Sequence, residues 1–420
     1  MINVMRDNCA AQWYSTLMKS TESCVHCGTA PVNHSAHWLD ASLTIVVTTV
    51  LSPLLPLVPS AVSLERSALI RAALRATTAL TVFLGIIRFR DAIEGAGART
   101  QMMWDEAKRR GIKIQQAEIF GRPSEYCRAL LPIAPEAEKK EWMLFESMPV
   151  PPWINARNPH SIDDKLSFKK VFTAANLPVA EGRAALTYRA ALRAFRSIGA
   201  PLVVKPREGS RARHTSVHIS SEQQLRSAYD IAKQLCPVVM VEKFIPGILY
   251  RATCVGGKLV GVVQFVRPSV IADGVQTIME LLNYHNNHKR FANLTDVKDD
   301  WWFREAIVHQ GYSVDDVPPK GAVITLSEHS ERPNGGYFID VTDSIPESHR
   351  RTIESGASVA NIPVIGFDII SEDLTEGDKT FTFIEGNALP FIELHHIPYE
   401  GTPRNAAAAV WDLWQQPSHS

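Results

Sequence analysis

A chain of 420 residues, 45% apolar and 21% charged, can build two or three globular domains with proper cores. Its 44 basic residues balance 44 acidic ones, and the missing basic excess argues against a nucleic-acid binder. Six thinly spread cysteines do not make a disulfide framework, so a reducing, cytoplasmic setting is expected; the first residues also lack the basic-then-apolar pattern of a secretory leader.

Residues 1–40 are polar and aperiodic. Cys24-Val-His-Cys27, with Cys9, His34 and His37 nearby, holds pieces of a zinc site, but one CxxC without a second pair reads as free cysteines. From Ala41 to Leu64 no residue is charged, a run long enough to span a bilayer, though Pro53, Pro56 and Pro59 would break a regular helix. The next stretch, to Arg90, can place Leu69, Ala73, Leu80, Phe83, Leu84 and Ile87 on one helical face, with Arg66, Arg71, Arg75, Arg88 and Arg90 as its charges. Two readings fit: peripheral or re-entrant membrane contact through residues 41–90, or a hydrophobic hairpin buried against residues 100–160.

The sequence TQMMWDEAKRRG predicts a helix stopping at Gly111, and IKIQQAEIF and EWMLFES predict strands. Residues 99–160 thus form a small α/β unit, closed by the proline-rich connector MPVPPWINARNPH; residues 1–98 precede it as a separate N-terminal region. Beyond Ser161 the pattern is α+β. DDKLSFKKVFTAAN is a helix ending at Asn176, and SEQQLRSAYDIAKQL is a second, capped by Ser220 or Ser221. PLVVKP, SVHI and PVVMVEKFI are strands, YRATCVGGKLVGVVQFV is a hairpin turning at Gly256–Gly257, and VIGFDIISED and FTFIEGN are a late strand pair.

Charged residues stand at the ends of these apolar strands: Lys205 after PLVV, Glu242 after VVMV, Asp368 in GFDII, Glu385 and Asn387 in FIEGN. An ionised group on a buried strand is costly unless paired, and a nucleotide phosphate with a metal would supply partners. Two carboxylates and an amide oxygen make a hard-oxygen set suited to Mg²⁺, with Mn²⁺ as an alternative.

The run from about Asp163 to Leu413 resembles an ATP-grasp domain, most of all that of cyanophycin synthetases. The stretches that carry the likeness are DDKLSFKKVF, PLVVKP, VVMVEKFIPG, YRATCVGGKLVG, ADGVQTIMELL, VDDVPPKG, NGGYFIDVTD, GFDII, IEGNALP and PYEGTPRN, in the family's order. The resemblance implies an α+β ATP-grasp fold over residues 161–415, two subdomains clasping a nucleotide. It implies ATP phosphate contacts from Lys165 and Lys205, with Arg213 as added charge. Glu242, Lys243, Phe244 and Ile245 match the hinge that reads adenine. Asp368, Glu385 and Asn387 match the metal ligands, and His395 and Arg404, with Arg332 as the nearest cation before NGG, lie toward the acceptor end. The implied reaction joins a small-molecule carboxylate to an amine through an acyl phosphate, in the cytosol; a nucleotide-binding regulatory module and a membrane-peripheral scaffold are the alternatives, and a homo-oligomer is compatible with each.

The sequence departs from the family's pattern in four places. Ala212 and His214 stand where the phosphate-covering loop has glycines; Leu249 replaces the acidic residue that binds the ribose; Ser327–Glu328 replace an arginine pair; and no second ligase domain follows, so the two-step polymerisation of full-length cyanophycin enzymes is not expected.

Overall fold

A computed structural model describes residues 24–27, 31–50 and 68–415, apart from 136, 155, 158–159, 210–211, 329 and 331–333. The described strands form three larger sheets and a two-stranded ribbon of β11 Ser269–Ile271 and β12 Val323–Thr325. The class is α+β, as the sequence predicts.

The first sheet, in the order β1-β2-β3-β4, is antiparallel: β1 is Ile87–Arg90, β2 Ile114–Ile119, β3 Arg122–Pro132 and β4 Lys140–Glu146. The helix Ala98–Arg109 covers it and stops at Arg110 and Gly111, whose φ of +68° suits glycine. Two corrections to the sequence reading arise here. The helical face expected to run through Ile87 ends with the helix Ala68–Phe83, and Arg88 and Arg90 sit on β1, paired with β2. The hydrophobic hairpin is not buried at its visible end, because Leu80, Val82, Phe83 and Leu84 are all exposed. The uncharged run continues the helix His34–Val50; residues 51–67, with the three prolines, lie outside the described residues. Among the described residues no helix is long and apolar enough to cross a membrane.

The second sheet, β5-β8-β6-β7, comprises β5 Gly182–Ala185, β6 Leu202–Pro206, β7 Ser216–Ile219 and β8 Val239–Lys243. The helices Tyr188–Ile198 and Glu222–Lys233 pack on one face around Leu202, Val204, Val239 and Val241. Ser221 caps the second helix in a reciprocal capping box with Gln224. Side chains alternate along a strand, so Lys205 and Glu242 must project from the opposite face.

The third sheet, β13-β10-β9-β14-β15, comprises β9 Ile248–Val255, β10 Lys258–Val266, β13 Tyr337–Asp340, β14 Val364–Ser371 and β15 Phe381–Asn387. The β9–β10 hairpin turns at Gly256 and Gly257, both at positive φ, as a two-residue turn of this twist requires. One face holds the largest core, with Phe168 and Phe172 of the helix Lys165–Ala174 against Phe367 and Phe383, and Ile353 of the helix Glu347–Ala360 beside them. The two ends of the chain share another core: Met103, Trp104 and Leu131 of the first unit pack with Trp411 and Trp414 near the C-terminus. Trp411 Nε1 donates to the Met103 carbonyl at 3.0 Å and Trp414 Nε1 to that of Pro149 at 3.1 Å. Glu106 accepts from Arg109, Arg110 and Asn405, a further tie between these segments.

Candidate active site

The site lies where the uncovered faces of the second and third sheets supply charged side chains. On β9, Tyr250, Ala252 and Cys254 enter the core, so Leu249, Arg251 and Thr253 point the other way. On β14, Ile365, Phe367 and Ile369 enter the core, so Asp368 joins Arg251 on the free face, and the two are register partners. Strand β15 would defeat this arrangement if it were regular. Phe381 and Phe383 fill the core, and strict alternation would send Glu385 and Asn387 there too. A bulge prevents it: Ile369 pairs with Phe383 but Asp368 pairs with Glu385, leaving Ile384 as the extra residue. The slip of one residue turns Glu385 to the same face as Asp368, where the two carboxyl groups are cross-strand neighbours.

The charged groups interlock. Glu242 lies 3.1 Å from Lys205 and 3.3 Å from Lys169, all three buried. Gly182 leaves the space for this, since a Cβ there would come within 2.9 Å of both the Glu242 and Lys169 side chains. Lys165 reaches Glu385 at 3.9 Å and donates to the Gly209 carbonyl at 2.8 Å, so it bridges the third sheet and the loop after β6. Arg251 meets Asp368 at 2.5 Å. The sequence reading expected Lys205 and Glu242 to await partners from a ligand; each instead already holds the other, with Lys169 as a participant the sequence did not single out. The signal for Lys169 was available: it follows Lys165 by one helical turn. Arg251, two residues beyond Leu249 on the same face, was also missed.

Burial opposes every charge here, and the balance of neighbours decides each outcome. Burial would raise Glu242, but Lys205 and Lys169 outweigh it and hold the carboxyl below its ordinary value. Burial works against the Lys205 ammonium, yet Glu242 and Glu385 raise it. Lys169 is lowered, by burial first, with Glu242 only partly compensating. Asp368 is pushed up to about 6: burial raises it, Arg251 pulls it down, and the neighbouring Glu385 raises it again. A half-buried carboxylate pair of this kind favours a cation between its members, and Asn387 stands two residues from Glu385 on the same strand. Buried polar atoms are normally hydrogen-bonded, yet Glu242 Oε1, Arg251 Nη1 and Asn387 Nδ2 have no protein partner among the described residues. Their shared location on this face suits a polar ligand.

The other expected site residues fall around this centre. Lys243 Nζ reaches the Gly199 carbonyl at 3.4 Å, and Phe244 lies against the His218 ring at 4.2 Å between centroids. Ile245 and Pro246 line a cavity of about 310 Å³ with Ile370, Ser371 and Thr382. His395 is fully buried, hydrogen-bonded through Nε2 to Thr253 Oγ1 at 2.7 Å, and placed over Gly261, where a Cβ would come within 2.5 Å of Nδ1. Burial pushes this imidazole down to about 3, so it is neutral at pH 7. Arg404 is engaged by Asp340 at 3.0 Å and Asp343 at 2.6 Å. Arg213 sits within electrostatic reach of Cys27 and His37. Arg332 lies outside the described residues. Leu249, half-buried, occupies the free face of β9, so no carboxylate stands there. At Ala212 and His214 the backbone takes φ of +51° and +53°, the left-handed conformation that glycine adopts freely and other residues resist.

The helix-covered sheet, the five-stranded sheet and the lysine–carboxylate cluster between them match the ATP-grasp fold that the sequence implies. The comparisons give the nearer likeness. Over 260 residues, 60% of this chain, it is 30% identical to the cyanophycin synthetase of Crocosphaera subtropica, and over 258 residues 29% identical to that of Trichormus variabilis. The chain spans 30% and 29% of the length of these two relatives. It is also 29% identical, over 257 residues covering 58% of this chain and 34% of the relative, to a bifunctional glutathione biosynthesis protein of Streptococcus mutans. No protein-family model matches the chain.

Proposed function

We propose that this chain is an ATP-dependent ligase that joins a small-molecule carboxylate to an amine through an acyl phosphate, with residues 161–415 as its ATP-grasp domain, 99–160 as a packing unit and 1–98 as an N-terminal extension. The observation that carries the reading is the bulge in β15, which sets Glu385 beside Asp368 on the same face as Arg251. The similarity to cyanophycin synthetases and to a glutathione biosynthesis protein supports it.

Lys165 and Lys205 neutralise the phosphates. Glu242, held by Lys205 and Lys169, fixes the first of these lysines in place, and the backbone from Glu242 to Ile245 forms the adenine hinge. Asp368, Glu385 and Asn387 fit Mg²⁺ or Mn²⁺: the two carboxyl groups are cross-strand neighbours, and Asn387 stands two residues along the same strand from Glu385. A metal bound there would add positive charge along the phosphate chain. Arg251 orients Asp368 and keeps a free guanidinium nitrogen for an anionic group. His395 and Arg404 border the acceptor end. Attack of a carboxylate oxygen on the terminal phosphorus expels ADP; attack of the amine on the acyl carbon then expels phosphate and leaves the amide. The chain's part is positioning and charge neutralisation.

Full-length protein with ATP and Mg²⁺ should show a raised thermal midpoint and release ADP when pooled amino acids or short peptides are supplied. Binding without release in any pool overturns the ligase reading. Leu249→Asp tests the nucleotide's placement. If ribose lies over β9, the new carboxylate accepts its hydroxyls and tightens ATP binding by about 1.5–3 kcal/mol. Unchanged affinity in the folded variant would put the ribose elsewhere.

A further inference from the structure

Four residues that the ligase reading does not use converge beside the loop after β6. Cys24 and Cys27 begin the described chain in a short 3₁₀ turn, with the Cys27 amide donating to the Cys24 carbonyl at 3.1 Å. His34 opens the helix His34–Val50. His214 arrives from the far side of the sequence, about 190 residues away, on the loop between β6 and β7. Cys24 Sγ lies 3.4 Å from His214 Nε2; Cys27 Sγ lies 3.3 Å from His34 Nε2 and 3.4 Å from His214 Nε2. All four ligand atoms fall within 4.8 Å of one another. Both cysteines are free thiols.

We infer that Cys24, Cys27, His34 and His214 bind a structural Zn²⁺ that clips the N-terminal segment to the loop after β6. Bonds of about 2.3 Å to sulfur and 2.0–2.1 Å to nitrogen at tetrahedral angles put sulfur and nitrogen roughly 3.5 Å apart, close to the observed spacings. Two thiolates and two imidazoles form a closed set with no position left for water, which marks a structural centre and not a catalytic one. His214 is prepared for the role. Its Nδ1 sits 2.8 Å from the Ile231 carbonyl, so this nitrogen carries the proton and Nε2 presents its lone pair to the metal. The ring is completely buried, and its backbone amide donates to the His26 carbonyl at 3.0 Å, joining the two segments along the main chain as well. His37, by contrast, turns its Nδ1 to the Leu235 carbonyl at 3.0 Å and stands outside the set.

The inference also accounts for an imidazole at a backbone φ of +53°, where a side chain is disfavoured: the metal bond compensates for the conformation. It rests on these four residues alone and does not depend on the ligase reading.

Metal analysis of full-length protein, expressed with zinc in the medium and desalted, tests it. About one zinc per chain is expected, falling to background in Cys24→Ser, Cys27→Ser, His34→Ala and His214→Gly. Glycine adopts the backbone conformation at 214 freely, so His214→Gly should keep its far-UV circular dichroism while losing the metal. Cys9→Ser and His37→Ala should keep it. Replacement by Co²⁺ should give the intense visible d–d bands of a tetrahedral site and thiolate-to-cobalt charge transfer in the near ultraviolet. Full zinc content in His214→Gly, loss of zinc in Cys9→Ser, or metal-free protein carrying a Cys24–Cys27 disulfide would each overturn the assignment.

Discussion

Glu385→Gln should lower Mg²⁺-dependent ADP release by roughly a hundredfold or more while leaving the thermal midpoint nearly unchanged. The substitution is nearly isosteric, and the side chain is about one quarter exposed, so little packing is lost. What is lost is one of two adjacent carboxylates able to hold a cation, and a metal's charge at a phosphoryl group amounts to several kcal/mol in the transition state. Asn387→Ala should act in the same direction through loss of the amide oxygen. Steady-state ADP release at saturating ATP, with metal titrated, checks both: a smaller kcat with a higher metal requirement is expected. Turnover at the level of the unsubstituted protein in either variant would place the metal elsewhere.

The largest effect on stability should come from Trp411→Ala. This indole is 1% exposed, packs with Met103 and Phe145, and donates to the Met103 carbonyl. Truncation removes the apolar contacts and one hydrogen bond and leaves a cavity, for a cost of about 3–5 kcal/mol. Urea unfolding should show a lower midpoint for the core that residues 98–150 share with the C-terminal helix. Trp38, 41% exposed, is the control: its change to alanine should move the midpoint by less than about 0.5 kcal/mol. Equal effects from the two would mean the shared core does not form.

Much of this architecture is legible in residue order. Lys205, Glu242, Asp368 and Glu385 stand out because charge at the end of an apolar strand is costly, Lys165 on its helix comes only from the family resemblance, and the structure gathers all five. Helix ends at Asn176 and Ser221 and the turn at Gly256–Gly257 follow from local chemistry that acts over three or four residues. What eluded the reading depends on long-range geometry. The bulge at Ile384 leaves no mark in FTFIEGN, where simple alternation puts Glu385 on the face of Phe383. Strand β3 was missed because Pro123 and the polar residues that follow it hide its period. Strand β1 was absorbed into a helix because IRFR continues an apolar–arginine pattern that serves either element. His214 looked like a defect in a glycine-rich loop; its partners are about 190 residues earlier, beyond any motif window.

The core shared by both ends of the chain also shapes how the protein is made. Met103, Ala107, Leu131 and Met148 leave the ribosome early, but Trp411 and Trp414, which cover them, follow roughly 260 residues after Met148. At about 5–20 residues per second, this apolar surface waits some 13–50 s for its cover during synthesis. The first sheet is therefore the stretch of the nascent chain most in need of a chaperone. A ribosome stalled shortly before residue 406 would display it uncovered, because the helix that carries Trp411 would not yet have been made.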